Sequence, residues 1–70
     1  MGSIVKVVEV IAQSEKSFED AVQTAVKETG KTVRGMRSLW IDNFSVEIKD
    51  DKIANYRVNA KVSFLVEGRK

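Results

Sequence analysis

The stretch from Asn55 to Val66 constrains this chain more than any other. It reads Asn-Tyr-Arg-Val-Asn-Ala-Lys-Val-Ser-Phe-Leu-Val, with apolar and polar side chains in near-strict alternation. Tyr56, Val58, Ala60, Val62, Phe64 and Val66 fall on one face. Asn55, Arg57, Asn59, Lys61 and Ser63 fall on the other, where only Leu65 departs from the pattern. Successive strand side chains point to opposite faces, so the stretch predicts a long strand, dry on one side and wet on the other. A strand of about twelve residues is a large sheet element for a chain of 70. So little protein cannot cover it, and self-association is the implied remedy.

Composition narrows the means of stabilisation. Hydrophobic content of 43% with 31% charged residues is that of a globular chain, and 70 residues predict a single domain over 1–70. Domains of this size usually need disulfides, a metal or partner subunits. Cysteine and histidine are both absent, which removes disulfides, thiolate metal sites, the commonest zinc ligand and the usual general base near neutral pH. Oligomerisation remains. The same absences exclude Ser-His-Asp, Cys-His and zinc-hydrolase chemistry, so the chain is not expected to be an enzyme. A net charge of +2 is too mild to identify a nucleic-acid partner. No apolar run is long enough for a membrane helix and none reads as a signal peptide, which sets the cytoplasm as the expected compartment. Lys6 stands where a myristoylation motif after Met1-Gly2 wants Ser or Thr.

The elements follow from pattern. Ile4 to Ala12 is β-branched and predicts a strand, buried on one face and largely on the other. Ser14 to Gly30 predicts a helix, capped by Ser14 or by Ser17, the latter with Asp20 completing a capping box. Phe18, Ala21, Val22, Ala25 and Val26 form its apolar stripe, and Gly30 sits where a left-handed C-terminal cap belongs. Lys31 to Arg37 is a basic connector. Ser38 to Lys49 predicts a second strand whose parity changes midway: Leu39 and Ile41 share one face, Phe44, Val46 and Ile48 the other. That slip implies a bulge near Asp42-Asn43. Lys49-Asp50-Asp51-Lys52 is a polar turn, so strands two and three form a hairpin. The fold class is α+β, a β-α-β-β chain with a three-stranded antiparallel sheet wrapped around one helix.

With these elements in place, the chain resembles the dodecins over nearly its whole length. The resemblance rests on Val-Lys-Val-Val-Glu-Val-Ile-Ala-Gln-Ser at the start and Glu-Lys-Ser-Phe-Glu-Asp-Ala-Val into the helix. Lys-Thr-Val-Arg-Gly-Met after the helix and Tyr-Arg-Val-Asn-Ala-Lys-Val-Ser-Phe in the last strand complete it. It implies a homododecamer, a hollow shell of cubic symmetry, that binds and stores flavin (riboflavin, FMN or FAD) as stacked pairs rather than acting as a catalyst. Flavin-binding members place a stacking tryptophan where this chain has Ser38. They place a ring-binding glutamine where it has Arg57, directly after the matching aromatic Tyr56. Trp40, two residues beyond Ser38 on the same strand face, is the substitute indole; the competing reading makes it an anchor at a subunit contact. Ser38, Trp40 and Arg57 are therefore the candidate ligand residues.

Two other partners are weighed. A related branch of dodecin-like proteins also carries Tyr-Arg and includes calcium-binding members. The oxygen ligands available here are Asp42, Glu47, Asp50 and Asp51, which fall short of the spaced set of a dedicated calcium loop. Nucleic acid is the remote alternative: Lys31, Arg34 and Arg37 cluster, and Arg57 and Lys61 share the wet face of the last strand. Trp40 is the only aromatic platform on offer there, because Tyr56 and Phe64 lie on the opposite face from Arg57.

Overall fold

The computed structural model describes residues 2–66, with β1 (Ile4–Ser14), α1 (Phe18–Thr29), β2 (Met36–Lys49) and β3 (Lys52–Val66) in chain order. β3 is the central strand, paired antiparallel with β1 on one side and β2 on the other. The stretch with the cleanest alternation is thus the one strand that is hydrogen-bonded along both edges. Its dry face carries α1.

The core is thin. Val58, Ala60 and Val62 of β3 are buried beneath Ala21 and Ala25 of the helix, and Val10, Phe18, Val22, Leu39 and Ile41 pack around Ala21, Val58 and Ala60. Alanines at the contact let the helix lie close to the sheet. Phe18 is the aromatic centre. Its ring stands edge-on to both Phe44 and Tyr56, with centroids 5.0 Å away in each case. Such pairs contribute about 0.5–1.5 kcal/mol beyond the area they bury. Val26, assigned to the stripe by its spacing, is 44% exposed, at the edge of a shallow hollow beside Met36 and Leu39 of β2.

The parity slip in β2 is a bulge at Asp42: Ile41 pairs with Ala60 while Asn43 pairs with Asn59. The extra residue returns Leu39, Ile41, Phe44 and Val46 to one face, opposite Val62, Ala60, Val58 and Tyr56. A second irregularity leaves Arg37 unpaired between Met36 and Ser38, and a third leaves Ala54 as the extra residue on β3. Lys49 pairs with Lys52 across Asp50-Asp51, whose φ values are 54° and 63°. A two-residue hairpin turn with both φ positive matches the right-handed strand twist, and Asp tolerates that conformation better than most residues.

Several expectations are corrected. The helix begins at Phe18 rather than Ser14, since β1 runs on to Ser14 in its pairing with Tyr56. Ser17 is the cap: its Oγ accepts from the Asp20 amide at 2.9 Å. The capping box is only half formed, because the Asp20 carboxylate accepts from Ser14 Oγ at 2.6 Å instead. Gly30 is right-handed, with φ −63°. A Cβ there would lie 3.1 Å from the Val26 carbonyl oxygen and 3.2 Å from Met36 Cε, so close packing rather than a left-handed cap favours glycine. The residue that needs a positive φ is Gly35, at 73°, leading into β2.

The second face of β1 is the largest departure. Val5, Val7 and Ile11 point away from the helix and are exposed. The hairpin also outruns its cover. A helix of 12 residues is about 18 Å long, whereas the described residues span 55 Å along their longest axis. Beyond the helix, Val46, Ile48 and Ile53 keep much of their surface exposed, and Phe44 is covered only on the side that meets Phe18.

Candidate ligand site on the outward sheet face

The face of the sheet turned away from α1 carries every ligand residue expected from the sequence. Ser38 faces Ser63, their hydroxyl oxygens 2.7 Å apart. Trp40 faces Lys61 and keeps 44% of its surface exposed. The bulge at Asp42 swings that carboxylate toward Lys61, where Oδ2 lies 3.3 Å from Nζ. Both side chains are partly exposed, so the pair contributes under about 1 kcal/mol.

Arg57 stands between Gln13 of β1 and Ser45 of β2, and its Nε donates to Gln13 Oε1 at 3.0 Å. A guanidinium offers donors only. With Nε occupied, the side chain is oriented and its terminal amino groups are unengaged among the described residues. Asn59 lies two residues along the same face, between Ile11 and Asn43. Its Oδ1 is buried without a donor, and an orphaned acceptor of that kind costs about 1–3 kcal/mol.

Ser38 and Trp40 are brought together as neighbours on one strand face. Arg57 is not brought to them. It lies four residues from Lys61 along β3, which is about 13 Å from the Trp40 position. Within one chain the three residues do not form one pocket, and a site using all of them needs a neighbouring copy. Gln13 and Ser63 are the partners that sequence reading missed. Gln13 is separated from Arg57 by 44 positions, and only the β1–β3 register reveals that pairing.

The calcium candidates do not converge either. Asp42 is paired with Lys61, Glu47 Oε1 accepts from Asn55 Nδ2 at 2.7 Å, and Asp50-Asp51 form the hairpin turn. Among the described residues no group of three or more acidic side chains is placed to hold a metal ion. The groups left open on this face are of another kind: an exposed indole at Trp40 offers a stacking face and Arg57 offers fixed donors, the functions a planar ring with carbonyl edges would use.

A β-α-β-β chain with a central third strand and a bulged hairpin longer than its covering helix defines a specific small class of folds. The dodecin family model matches residues 4–67, and the chain belongs to the dodecin family. Solved structures agree. It is 28% identical to a variant of the Thermus thermophilus dodecin, over 96% of this chain and 100% of that one, with a TM-score of 0.89. It is 25% identical to the dodecin from Streptomyces coelicolor, over 96% of each chain, with a TM-score of 0.90. A Mycobacterium tuberculosis protein described as a calcium-chelating immunodominant antigen, calcium dodecin, with a novel calcium-binding site, is 28% identical over 97% of each chain, with a TM-score of 0.84. No curated protein sequence gives a significant match.

Proposed function

We propose that this chain is a cytoplasmic homo-oligomer, twelve copies in a closed shell of cubic symmetry, that binds and stores a small molecule without transforming it. Flavin (FMN, riboflavin or FAD) is the first ligand. One observation carries the reading: a dodecin fold whose outward sheet face presents an exposed Trp40 and an oriented Arg57 with free donors. Trp40 takes the place of the family's stacking indole, and Ser38 beside it leaves room for a ring displaced along β2. Arg57 donates to the ring's carbonyl edge. Subunit closure brings these groups from different copies to one ligand.

Two measurements test this. The native particle is expected near 94 kDa, twelve times the 7.8 kDa chain. Titration of flavin with micromolar protein is expected to quench its fluorescence by stacking on the indole. Unquenched flavin over a twelve-subunit particle removes the ligand and leaves the assembly. Calcium is the second ligand class, on the likeness to the calcium dodecin of Mycobacterium tuberculosis. It would require carboxylates from several copies, and calorimetric titration separates it from flavin.

A further inference from the structure

Arg57 carries a charge that nothing beside it balances among the described residues. The ion pairs join Lys31 to Glu28 and Lys61 to Asp42, and neither involves it. Its partners across the sheet are Gln13 on β1 and Ser45 on β2, both neutral. Along β3 its neighbours on the same face are Asn55 and Asn59, neutral as well. The nearest acid on β2 is Glu47, opposite Asn55, a diagonal of about 7–8 Å between backbones. Its Oε1 accepts from Asn55 Nδ2 at 2.7 Å. A neutral amide thus occupies the carboxylate best placed to offset the guanidinium.

The guanidinium is also held in place. Its Nε donates to Gln13 Oε1 at 3.0 Å, which leaves the terminal amino groups open. A fixed donor pair that is always charged differs from a neutral one in a single respect: it tells an anionic acceptor from a neutral acceptor. A flavin ring offers both. Two electrons and one proton turn the neutral oxidised ring into an anionic hydroquinone, with negative charge shared between N1 and the C2 carbonyl. Stacking on the exposed Trp40 covers the same ring area in either state. The full Coulomb attraction to Arg57 exists only for the reduced ring, and it grows as a covered site excludes water. An equilibrium shifts only by the difference in affinity for its two states, and here the charge supplies that difference.

We infer that Arg57 makes the ligand site selective for oxidation state: the particle holds the two-electron-reduced, anionic flavin more tightly than the oxidised one, with Gln13 as the positioning residue. The proton goes to N5 of the ring. The electron pair comes from an outside donor, dithionite in the assay below, which leaves as sulfite. No bond to the protein forms or breaks. The inference rests on flavin being the ligand, and it adds to storage a preference for one redox form.

The test is anaerobic spectroelectrochemistry of the full-length native particle loaded with FMN, in mildly alkaline buffer where the free hydroquinone is an anion. Fluorescence titration with oxidised FMN accompanies it. The bound couple is expected at least about 30 mV above free FMN, which corresponds to tenfold tighter binding of the reduced form. Arg57→Gln keeps a donor without the charge and should bring the two affinities within twofold, about 9 mV. Arg57→Lys keeps the charge and should retain an upward shift. Gln13→Ala releases the guanidinium and should narrow the shift. If Arg57→Gln loses its native mass, Gln13→Ala decides, and an undiminished shift there overturns the assignment. Quenching of oxidised FMN with an unshifted or lowered potential overturns this inference and leaves flavin storage standing. A shift that survives in Arg57→Gln places the charge elsewhere and overturns the role of Arg57. Absence of any bound FMN overturns both.

Discussion

The isoleucine pair at the hairpin tip offers the most direct test of assembly. Ile48 and Ile53 face each other across β2 and β3 on the helix side, beyond the helix itself. They remain 58% and 51% exposed. Complete burial of an isoleucine is worth about 1.5–3 kcal/mol, so covering the remaining area of the pair adds roughly 2–3 kcal/mol per copy. Replacing Ile48 by lysine forfeits half of that and forces an ammonium into the contact, where desolvation costs several kcal/mol more. The expected loss is at least about 3 kcal/mol per copy, roughly a hundredfold in each association step. In an isolated chain the same exposed substitution would change stability by less than about 0.5 kcal/mol. Light scattering at micromolar protein is therefore expected to show Ile48→Lys as small species, with a thermal midpoint that falls on dilution. Ile48→Val should keep the native mass. If Ile48→Lys retains wild-type mass and midpoint, or if the wild type persists as a folded monomer on dilution, the reasoning fails.

Other substitutions probe separate links. Trp40 is the only tryptophan in the chain, so Trp40→Ala should abolish flavin quenching while native mass is kept; retained quenching excludes the indole as the stacking face. Ser38→Trp with Arg57→Gln restores the family's ring-binding pair and should tighten flavin at least tenfold by fluorescence titration; no gain would mean that the ring sits elsewhere. Ser17→Ala removes the bond to the Asp20 amide and should cost about 1 kcal/mol in chemical denaturation, a loss too large for a neutral surface change. Asp51→Gly relieves a left-handed strain of about 1–2 kcal/mol against an entropy cost of about 0.4–1 kcal/mol. A rise in the denaturation midpoint is expected, and Asp51→Val should lower it.

The chain order of the elements was legible because it is written in periodicity, whereas the central place of β3 in the sheet was not. The change of parity after Ile41 announced the Asp42 bulge, since a strand with one buried face cannot tolerate a slip without an extra residue. The helix ends were less legible. Ser14 and Ser17 are both good caps locally, and the choice between them depends on β1 continuing to pair as far as Tyr56. Gly30 carries two reasons for glycine that look alike in sequence, and here packing against Met36 decides. In the ligand face, Ser38, Trp40 and Arg57 could be assigned to one side of the sheet from alternation alone. Their separation along it, and the Gln13 support of Arg57, require the register of β1 against β3.

The two incomplete surfaces differ in kind, and that difference separates assembly from ligand binding. Past the helix, the hairpin exposes Val46, Ile48 and Ile53, an apolar deficit. Only another apolar surface removes it, and a small polar ring cannot. The outward face also leaves Val5, Val7 and Ile11 bare along β1, but across β2 and β3 its open groups are polar and aromatic: Arg57 has donors to spare and Trp40 has no stacking partner. A planar molecule with carbonyl and N–H edges answers those needs at little apolar gain. Copies should therefore associate through the hairpin whether or not a ligand is present, and the ligand should enter a particle already formed. The order is visible in variants, because Ile48→Lys should remove both mass and quenching, whereas Trp40→Ala should remove quenching alone. A particle that forms only when flavin is added would reverse that order and place the apolar contribution on the wrong face.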